Sequence, residues 1–494
     1  MTEIADSQER RPKRWPIVAV ALVCIAATAI VALWKLWPSY DGPVQHVIVI
    51  SLDTTRADCL GCYGNRRIRT PRIDELANES MVFTDYATVV TTTLASHTSL
   101  FTGKYAHTHG VPRNGFIVND DNVMLAEVLK AAGFYTAGFL GSFALDSRFN
   151  FAQGFEHFDQ NFDILVNGRG VDQNQRRAES VTDAVIDYLD REGVPRNLFL
   201  FVHYFDAHAP YNAPAPYGQM YADGESVISA EGPTGESDRK SFQRFQRRSR
   251  LYAGEISYMD HHVGRLLDDL KRRGILDNAL LIVTSDHGEN LGDAEQSAPG
   301  HGWSTYQVEV HAVCLVRLPR AARGGTRVAL PVASIDILPS VLSYLGLPIP
   351  VGVEGEVIDL NQPGGIDGGR VRFSEATKPW EPVEVDPRWY NIPKPCCVRE
   401  GSLKYIRTLY QGREELYDLA TDPYEHANLL ASPTPEVTAR AAELRQKLRD
   451  WVASGKPLPS HFDPRHQEDT MRRLQAMGYL GGEDDDSESE GASP

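Results

Sequence analysis

The chain has 494 residues, 42% of them hydrophobic and 9% aromatic, which is enough to build a sizeable core and excludes wholesale disorder. Its formal net charge of −16 at pH 7 excludes the basic footprint with which proteins neutralise nucleic-acid phosphates, so no nucleic-acid partner is expected. Part of this acidity is local, because the closing run GGEDDDSESEGASP is polar and acidic and reads as a solvated tail.

In chain order the first element is apolar. Trp15 to Trp34, WPIVAVALVCIAATAIVALW, carries no charge, and at about 1.5 Å per residue it spans a hydrocarbon core of about 30 Å. Arg10, Arg11, Lys13 and Arg14 precede it. A basic cytoplasmic segment (1–14), one transmembrane anchor (15–36) and an exported remainder on the periplasmic or extracellular face are therefore expected. A short linker leads to HVIVISLD, His46–Asp53, whose β-branched content marks a buried strand ending on an acid. Cys59 and Cys62 form a CxxC without a second pair or nearby histidines at zinc-finger spacing, and read as small apolar residues, with a disulfide left open.

TPRIDELANES starts a helix at its Thr-Pro, and VMLAEVLKAAGFYTAGFLG is a helix ended at Gly133 followed by a strand. NLFLFVHYF from Asn197 and NALLIVTSDHG from Asn278 are further buried strands, separated by the long amphipathic pattern RSRLYAGEISYMDHHVGRLLDDLKRRG. Residues from Tyr217 to about Lys240 read as an exposed insertion. A Gly- and Pro-rich stretch marks the end of a catalytic domain (45–365). It is followed by a C-terminal subdomain (366–465), with short strands and a helix from about Pro435 to Ala453, and by an extension (466–494) with an acidic disordered tail. Strands alternating with helices imply a doubly wound α/β domain with a mostly parallel sheet, in which ligands bind beyond the carboxyl ends of the strands.

Asp53, Asp206, His208, Asp286 and His287 all follow strand-like runs. A carboxylate beside an imidazole, as in Asp286 and His287, suits a cation such as zinc or manganese. The segments VISLDTTRADCLGCYG, ASHTSLFTGKYAHTHGV, HYFDAHAPY, TSDHGENLG, GHGWSTYQVEV and EELYDLATDPYEHANLL occur in this order. With them the chain resembles the sulfatase family of the alkaline phosphatase superfamily over most of its length after the anchor. The resemblance implies an alkaline-phosphatase/sulfatase-like doubly wound sheet, a small C-terminal α+β subdomain packed beside it, and an ester hydrolase.

The resemblance also implies a site. Thr93 stands where the best-known members carry the Cys or Ser converted to formylglycine, Ala95 replaces their proline, His97 their arginine, and Thr54 the second acid of their first acidic pair. Threonine cannot form that aldehyde. Asp53, Thr93, Asp286 and His287 instead resemble the metal-bound nucleophile site of nucleotide pyrophosphatases/phosphodiesterases and phosphoethanolamine transferases, which implies a divalent metal ion, zinc or manganese rather than calcium. Such a cation lowers the pKa of an oxygen it binds by several units. Thr93 is thereby expected to attack the ester and form a covalent intermediate that water or an acceptor alcohol resolves. His208 and His301 match positions that contact the anionic ester, and are expected to bind it and protonate the leaving group, with His97 also in the site. Asp206, His208 and His301 around a second metal is the alternative. His109 is expected to order its loop, Lys104 to be a solvated charge, Arg56 and Asp58 to brace the loop after the first strand, and Asp260, His261 and His262 to cap or pair locally.

The leading expectation is a membrane-anchored, metal-dependent hydrolase of sulfate or phosphate esters, acting on a small-molecule, glycan or lipid substrate. A transferase of phosphoryl-linked head groups onto envelope glycans or lipids, and a non-catalytic sulfatase-like binding protein, are the alternatives.

Overall fold

A computed structural model describes residues 42–479, apart from 163, 166–170, 173, 223–226, 229–238, 295, 365–366, 379–393, 463–466 and 478. The predicted anchor (15–36) and the acidic tail lie outside the described residues. Among those described, no helix is long and apolar enough to cross a membrane.

The main sheet is built from β1 (His46–Leu52), β2 (Met81–Phe83), β3 (Tyr135–Phe139), β4 (His157–Asp159), β5 (Leu198–Tyr204), β6 (Ala279–Thr284), β7 (Cys314–Arg317) and β8 (Thr326–Val328). These eight strands lie in the order β8-β2-β7-β6-β1-β5-β3-β4. The expected parallel centre is present, with β1 between β5 and β6 and parallel to both. The sheet is nonetheless mixed, because β7 runs antiparallel to β6 and β2. The segment between β6 and β7 carries a short helix, Gln307–Val310, and returns the chain to lie antiparallel beside β6.

Strand geometry turns the uninterrupted apolar run of β1 into two faces, since successive side chains point to opposite sides. Val47 and Val49 enter one core with Leu94, Phe101, Leu125, Leu129, Leu338 and Val341. These come from helices α2 (Thr93–Thr102), α3 (Leu125–Ala131) and α6 (Ile337–Leu345). Ile48, Ile50 and Leu52 enter the opposite core with Ile73, Leu76, Val181, Val185, Met259 and Val263. Those residues belong to α1 (Pro71–Asn78), α4 (Ala178–Glu192) and α5 (Arg239–Arg272).

A second sheet, β9 (Val371–Glu375), β10 (Pro395–Glu400), β11 (Leu403–Thr408) and β12 (Arg413–Asp418), is an antiparallel meander. Helix α7 (Pro435–Ser454) packs on it, with Trp451 stacked on Phe373 at 4.9 Å. The backbone of Glu375 joins the two sheets by donating to Val89 O (2.9 Å).

Three sequence expectations are corrected. The 217–240 stretch is not wholly an exposed insertion: Val227 and Ile228 are buried, and Val227 O accepts from Asn65 Nδ2 (3.1 Å). Lys104 is buried rather than solvated and donates to Asn122 Oδ1 (3.2 Å), so loss of hydration pulls its pKa down. Ahead of the acidic tail, and compatible with it, the 466–494 extension carries a helix, α8 (Gln467–Ala476), that docks through the buried Leu474. Asp206 gives its Oδ1 to the amide of Ala178 (2.9 Å) at the start of α4 and is not grouped with His208 and His301. The described cysteines, Cys59 and Cys62 among them, form no disulfide.

Asp260 does not cap or pair locally as the sequence suggested: it caps the distant helix α1, whose Arg72 and Ile73 amides donate to it (3.2 and 2.8 Å). Burial pushes its carboxyl up to about 7 against those amides. Its unfolded value is about 3.9. A carboxyl with a raised folded pKa stabilises the fold fully below the unfolded value and loses that contribution as pH climbs through the folded one. Asp260→Asn is therefore expected to gain stability relative to the unmodified protein between pH 5 and pH 8. Melting temperatures at the two pH values check this, and a difference that stays constant or moves against the variant overturns it.

Candidate active site

Three adjacent strands, β6, β1 and β5, deliver the site at their carboxyl ends. Asp53 follows β1, and its amide donates to Tyr204 O (2.9 Å). Asp286 and His287 follow β6. The parallel register sets His203 beside Ser51, so Asp53 emerges one step beyond the imidazole. From one face of the sheet, the amino end of α2 brings Thr93. All ten residues of α2 are buried, and Gly103 ends it at φ 66. A side chain at Gly103 would meet Val353 and Ile335 O, which forbids anything larger there.

Asp53 and Asp286 are both buried, at 0% and 3% exposure. Burial pushes the Asp53 carboxyl well up, and Asp286 facing it adds to the rise. Burial pushes Asp286 up as well, but His287, His97 and the amides of Thr54 and His287 outweigh it and hold that carboxyl below the usual range. Asp53 Oδ2 accepts from His203 Nε2 (2.9 Å), and Asp286 Oδ1 accepts from the amides of Thr54 (3.1 Å) and His287 (2.8 Å). Thr54 achieves this by standing at φ 51, a left-handed conformation that costs a β-branched residue about 1–3 kcal/mol. Its hydroxyl, bonded to Asp53 O (2.8 Å), and its carbonyl, bonded to Tyr252 Oη (2.7 Å), hold it there.

The other atoms of this group face mainly one another: Asp286 Oδ2 lies 3.3 Å from His287 Nε2, and the Asp53 carboxyl faces Asp286 and Thr93. Asp53 Oδ1, Asp286 Oδ2 and His287 Nε2 are buried and unbonded. Donor atoms of these three residues lie within 4.8 Å of one another. His287 Nδ1 faces Gly288 O (3.0 Å), and a carbonyl only accepts, so the proton sits on Nδ1 and the Nε2 lone pair is free. Two carboxylate oxygens and an imidazole lone pair, converging without donors, fit a divalent cation of the zinc or manganese type. Asp53, His97 and His203 form a second close group, in which both His97 nitrogens and His203 Nε2 are engaged while His203 Nδ1 is buried and unbonded. His97 Nδ1 donates to Thr93 O (2.7 Å), leaving its Nε2 to accept from Ser51 Oγ (2.8 Å). His97, expected in the site, thus ties α2 to β1 beside the carboxylates with both ring nitrogens in use.

His208 and His301 face each other across the site, their ring centroids 5.1 Å apart, and His301 stacks on His287 at 4.4 Å. His208 Nδ1 donates to Ala209 O (2.6 Å) and His301 Nδ1 to Glu289 Oε2 (3.2 Å), while both Nε2 atoms are buried and unbonded. Burial, reinforced by the neighbouring imidazoles, pulls His208 down to about 3 and His301 well below the usual range, so both rings rest neutral. Burial lifts Glu289 to about 7 against the pull of His208 and His287. Gly302, at φ 78, lets the His301 loop approach Thr92 and Thr377, whose hydroxyls a side chain there would strike.

Sequence reasoning missed His203, Glu289, Asn114 and Tyr479. Asn114 Oδ1 accepts from Leu94 N (2.8 Å) in the first turn of α2 while its Nδ2 is buried and unbonded. Tyr479 Oη lies 3.0 Å from Thr93 Oγ1. The expected supporting roles are present: His109 accepts from Val111 N (3.1 Å) within its loop, and Arg56 bridges Asp58 (2.8 Å) and Asp293 (2.7 Å).

A family model described as Sulfatase matches residues 45–347. A protein named ulvan-active sulfatase from Formosa agariphila is 27% identical over 438 residues, covering 83% of this chain and 82% of that protein. An N-acetylglucosamine-6-O-sulfatase from Bacteroides thetaiotaomicron is 22% identical over 494 residues, covering 82% and 86%. Among solved structures, the phosphonate monoester hydrolase of Silicibacter pomeroyi superposes with a TM-score of 0.68 at 22% identity, over 85% of this chain and 99% of that one.

Proposed function

The chain belongs to the sulfatase family of sulfuric and phosphoric ester hydrolases, and from that premise we propose that it works with Thr93 as its nucleophile in place of formylglycine. The observation that supports this most is the position of the Thr93 hydroxyl, buried at the amino end of α2 against the Asp53 carboxyl and beside the Asp53, Asp286 and His287 donor atoms that lie within 4.8 Å of one another. Asp53, Asp286 and His287, with Thr93 itself, would hold the divalent cation, which when bound supplies positive charge that favours an ionised hydroxyl and offsets the charge of the ester.

The protein's own groups account for the Thr93 proton. The free Nε2 of His301 accepts the Thr93 proton, and Glu289 at its Nδ1 stabilises the imidazolium so formed. Thr93 Oγ1 forms the bond to sulfur or phosphorus while the bond to the leaving oxygen, on the opposite side of that atom, breaks and that oxygen takes a proton from solvent. Water then displaces Thr93 Oγ1, losing a proton to solvent, and Oγ1 recovers its own proton from the imidazolium. His208 faces the same space, and an entering anion raises the proton affinity of both rings.

The run Trp15–Trp34 and the basic residues before it support a single-pass anchor with the catalytic domain outside the cytoplasm. Initial rates on an aryl sulfate, an aryl phosphate monoester and an aryl phosphodiester, measured for the full chain in membranes and for a chain starting at residue 40, test both parts. Turnover of at least one ester, sedimenting with membranes only for the full chain, is the expected result. No turnover by metal-loaded protein sinks the hydrolase reading, and soluble activity from the full chain sinks the anchor.

A further inference from the structure

One neighbour of Thr93 has no part in that chemistry. Beyond α7 the chain follows the loop after α2, with Leu458 N donating to Thr108 O (3.0 Å) and His461 O accepting from Ile117 N (3.0 Å). Helix α8 then docks on the catalytic domain. Leu474 is fully buried, Arg473 lies 3.7 Å from the centroid of Phe143 and donates to Asn174 Oδ1 (2.9 Å), and Asp469 pairs with Arg148 (2.9 Å). Tyr479 N donates to Leu474 O (2.9 Å), a turn that carries the tyrosine ring into the site. The ring is 1% exposed, 5.2 Å from His208 and 5.7 Å from His301 between centroids.

We propose that Tyr479 is a substrate-contacting residue of the active site: its phenol, hydrogen-bonded to Thr93 at rest, donates to a non-bridging oxygen of the sulfate or phosphate ester during turnover. This rests on Thr93 being the nucleophile. Two observations carry it. The atom that Thr93 attacks must bond to Oγ1, so an oxygen on that atom lies beside Oγ1, where the Tyr479 hydroxyl is held at 3.0 Å. The side-chain atoms left unbonded nearby are mostly lone pairs: Asp53 Oδ1, Asp286 Oδ2, and the Nε2 atoms of His208, His287 and His301. An anionic ester needs donors, and a phenol is a donor that stays neutral, so it meets the ester without bringing a further negative charge to Asp53 and Asp286. The C-terminal segment thereby completes a site otherwise built at the carboxyl edge of the sheet.

Tyr479→Phe removes the hydroxyl and keeps the ring. In the full-length, metal-loaded protein in detergent, binding of inorganic phosphate and inorganic sulfate is measured by calorimetry alongside aryl-ester turnover and melting temperature. The expected result is melting lowered by no more than a few degrees, at least about tenfold weaker binding of the preferred anion, and a kcat/KM about 10- to 100-fold lower. A Phe variant that binds anion and turns over like the unmodified protein overturns the proposal. A faster Phe variant overturns it too, and makes Tyr479 a plug over Thr93. If the unmodified protein binds neither anion and Thr93→Ala leaves turnover intact, the nucleophile assignment has failed and takes the Tyr479 proposal with it, a pattern distinct from failure of Tyr479 alone.

Discussion

Thr93→Ala is expected to lower kcat/KM by about 10⁴-fold or more, the scale on which covalent catalysis fails when its nucleophile is deleted. The loss should be chemical and not structural. The methyl of alanine fits the amino end of α2, and the deleted hydroxyl leaves the Tyr479 phenol without a partner, a cost of about 1–3 kcal/mol. Thr93→Ser is the matching control. It keeps the oxygen and loses only a methyl group, so it should retain turnover within about tenfold while the alanine variant has none. Quenching a reaction in acid and locating a sulfuryl or phosphoryl group on the peptide that carries Thr93 would identify the intermediate directly. Turnover by the alanine variant, or a modified peptide elsewhere in the chain, would place the nucleophile at another residue.

The parts of this site that the sequence disclosed share a property: each is a polar residue where an apolar run stops. Asp53 ends HVIVISL and Asp286 with His287 ends ALLIVT, so strand periodicity alone brings them to one edge, and parallel pairing of β1 with β6 makes them neighbours. His203 escaped notice because it lies inside such a run, and its task, holding Asp53 Oδ2, appears only when the register of β5 against β1 is known. His97 was expected in the site from its place in a motif. Sequence does not disclose that both its nitrogens are consumed by Ser51 and Thr93. Lys104 misled for a similar reason, since only the packed structure shows Asn122 closing over it. Tyr479 was the least accessible of all. It lies 386 positions from its partner, just ahead of the acidic tail, and no local pattern links it to a helix start near residue 93. Long-range contacts of that kind are set by tertiary packing and leave no periodic trace.

The second large effect expected is on stability, through the two buried carboxylates. Asp53 and Asp286 present unbonded oxygens to one another with donor atoms no more than 4.8 Å apart. At an effective dielectric of about 20, two charges at that separation repel by about 3 kcal/mol. Without a cation the protein must bear that repulsion or take up a proton to remove it. A bound cation relieves both, and at 100 times its Kd it adds about 2.7 kcal/mol through linkage to folding. Stripping the protein with a chelator should therefore lower its melting temperature by several degrees, and zinc or manganese should restore it. Asp53→Asn makes this specific. Asparagine keeps an oxygen for the His203 proton, but one of the facing charges is gone, so the chelated variant should melt above the chelated unmodified protein and respond little to added metal. The same substitution should abolish turnover, so that one change stabilises the metal-free fold and removes the activity. This opposition separates a functional carboxylate pair from a structural one: a carboxylate kept for packing would lose stability on replacement, and a chelator that leaves melting unchanged would show that Asp53, Asp286 and His287 hold no ion.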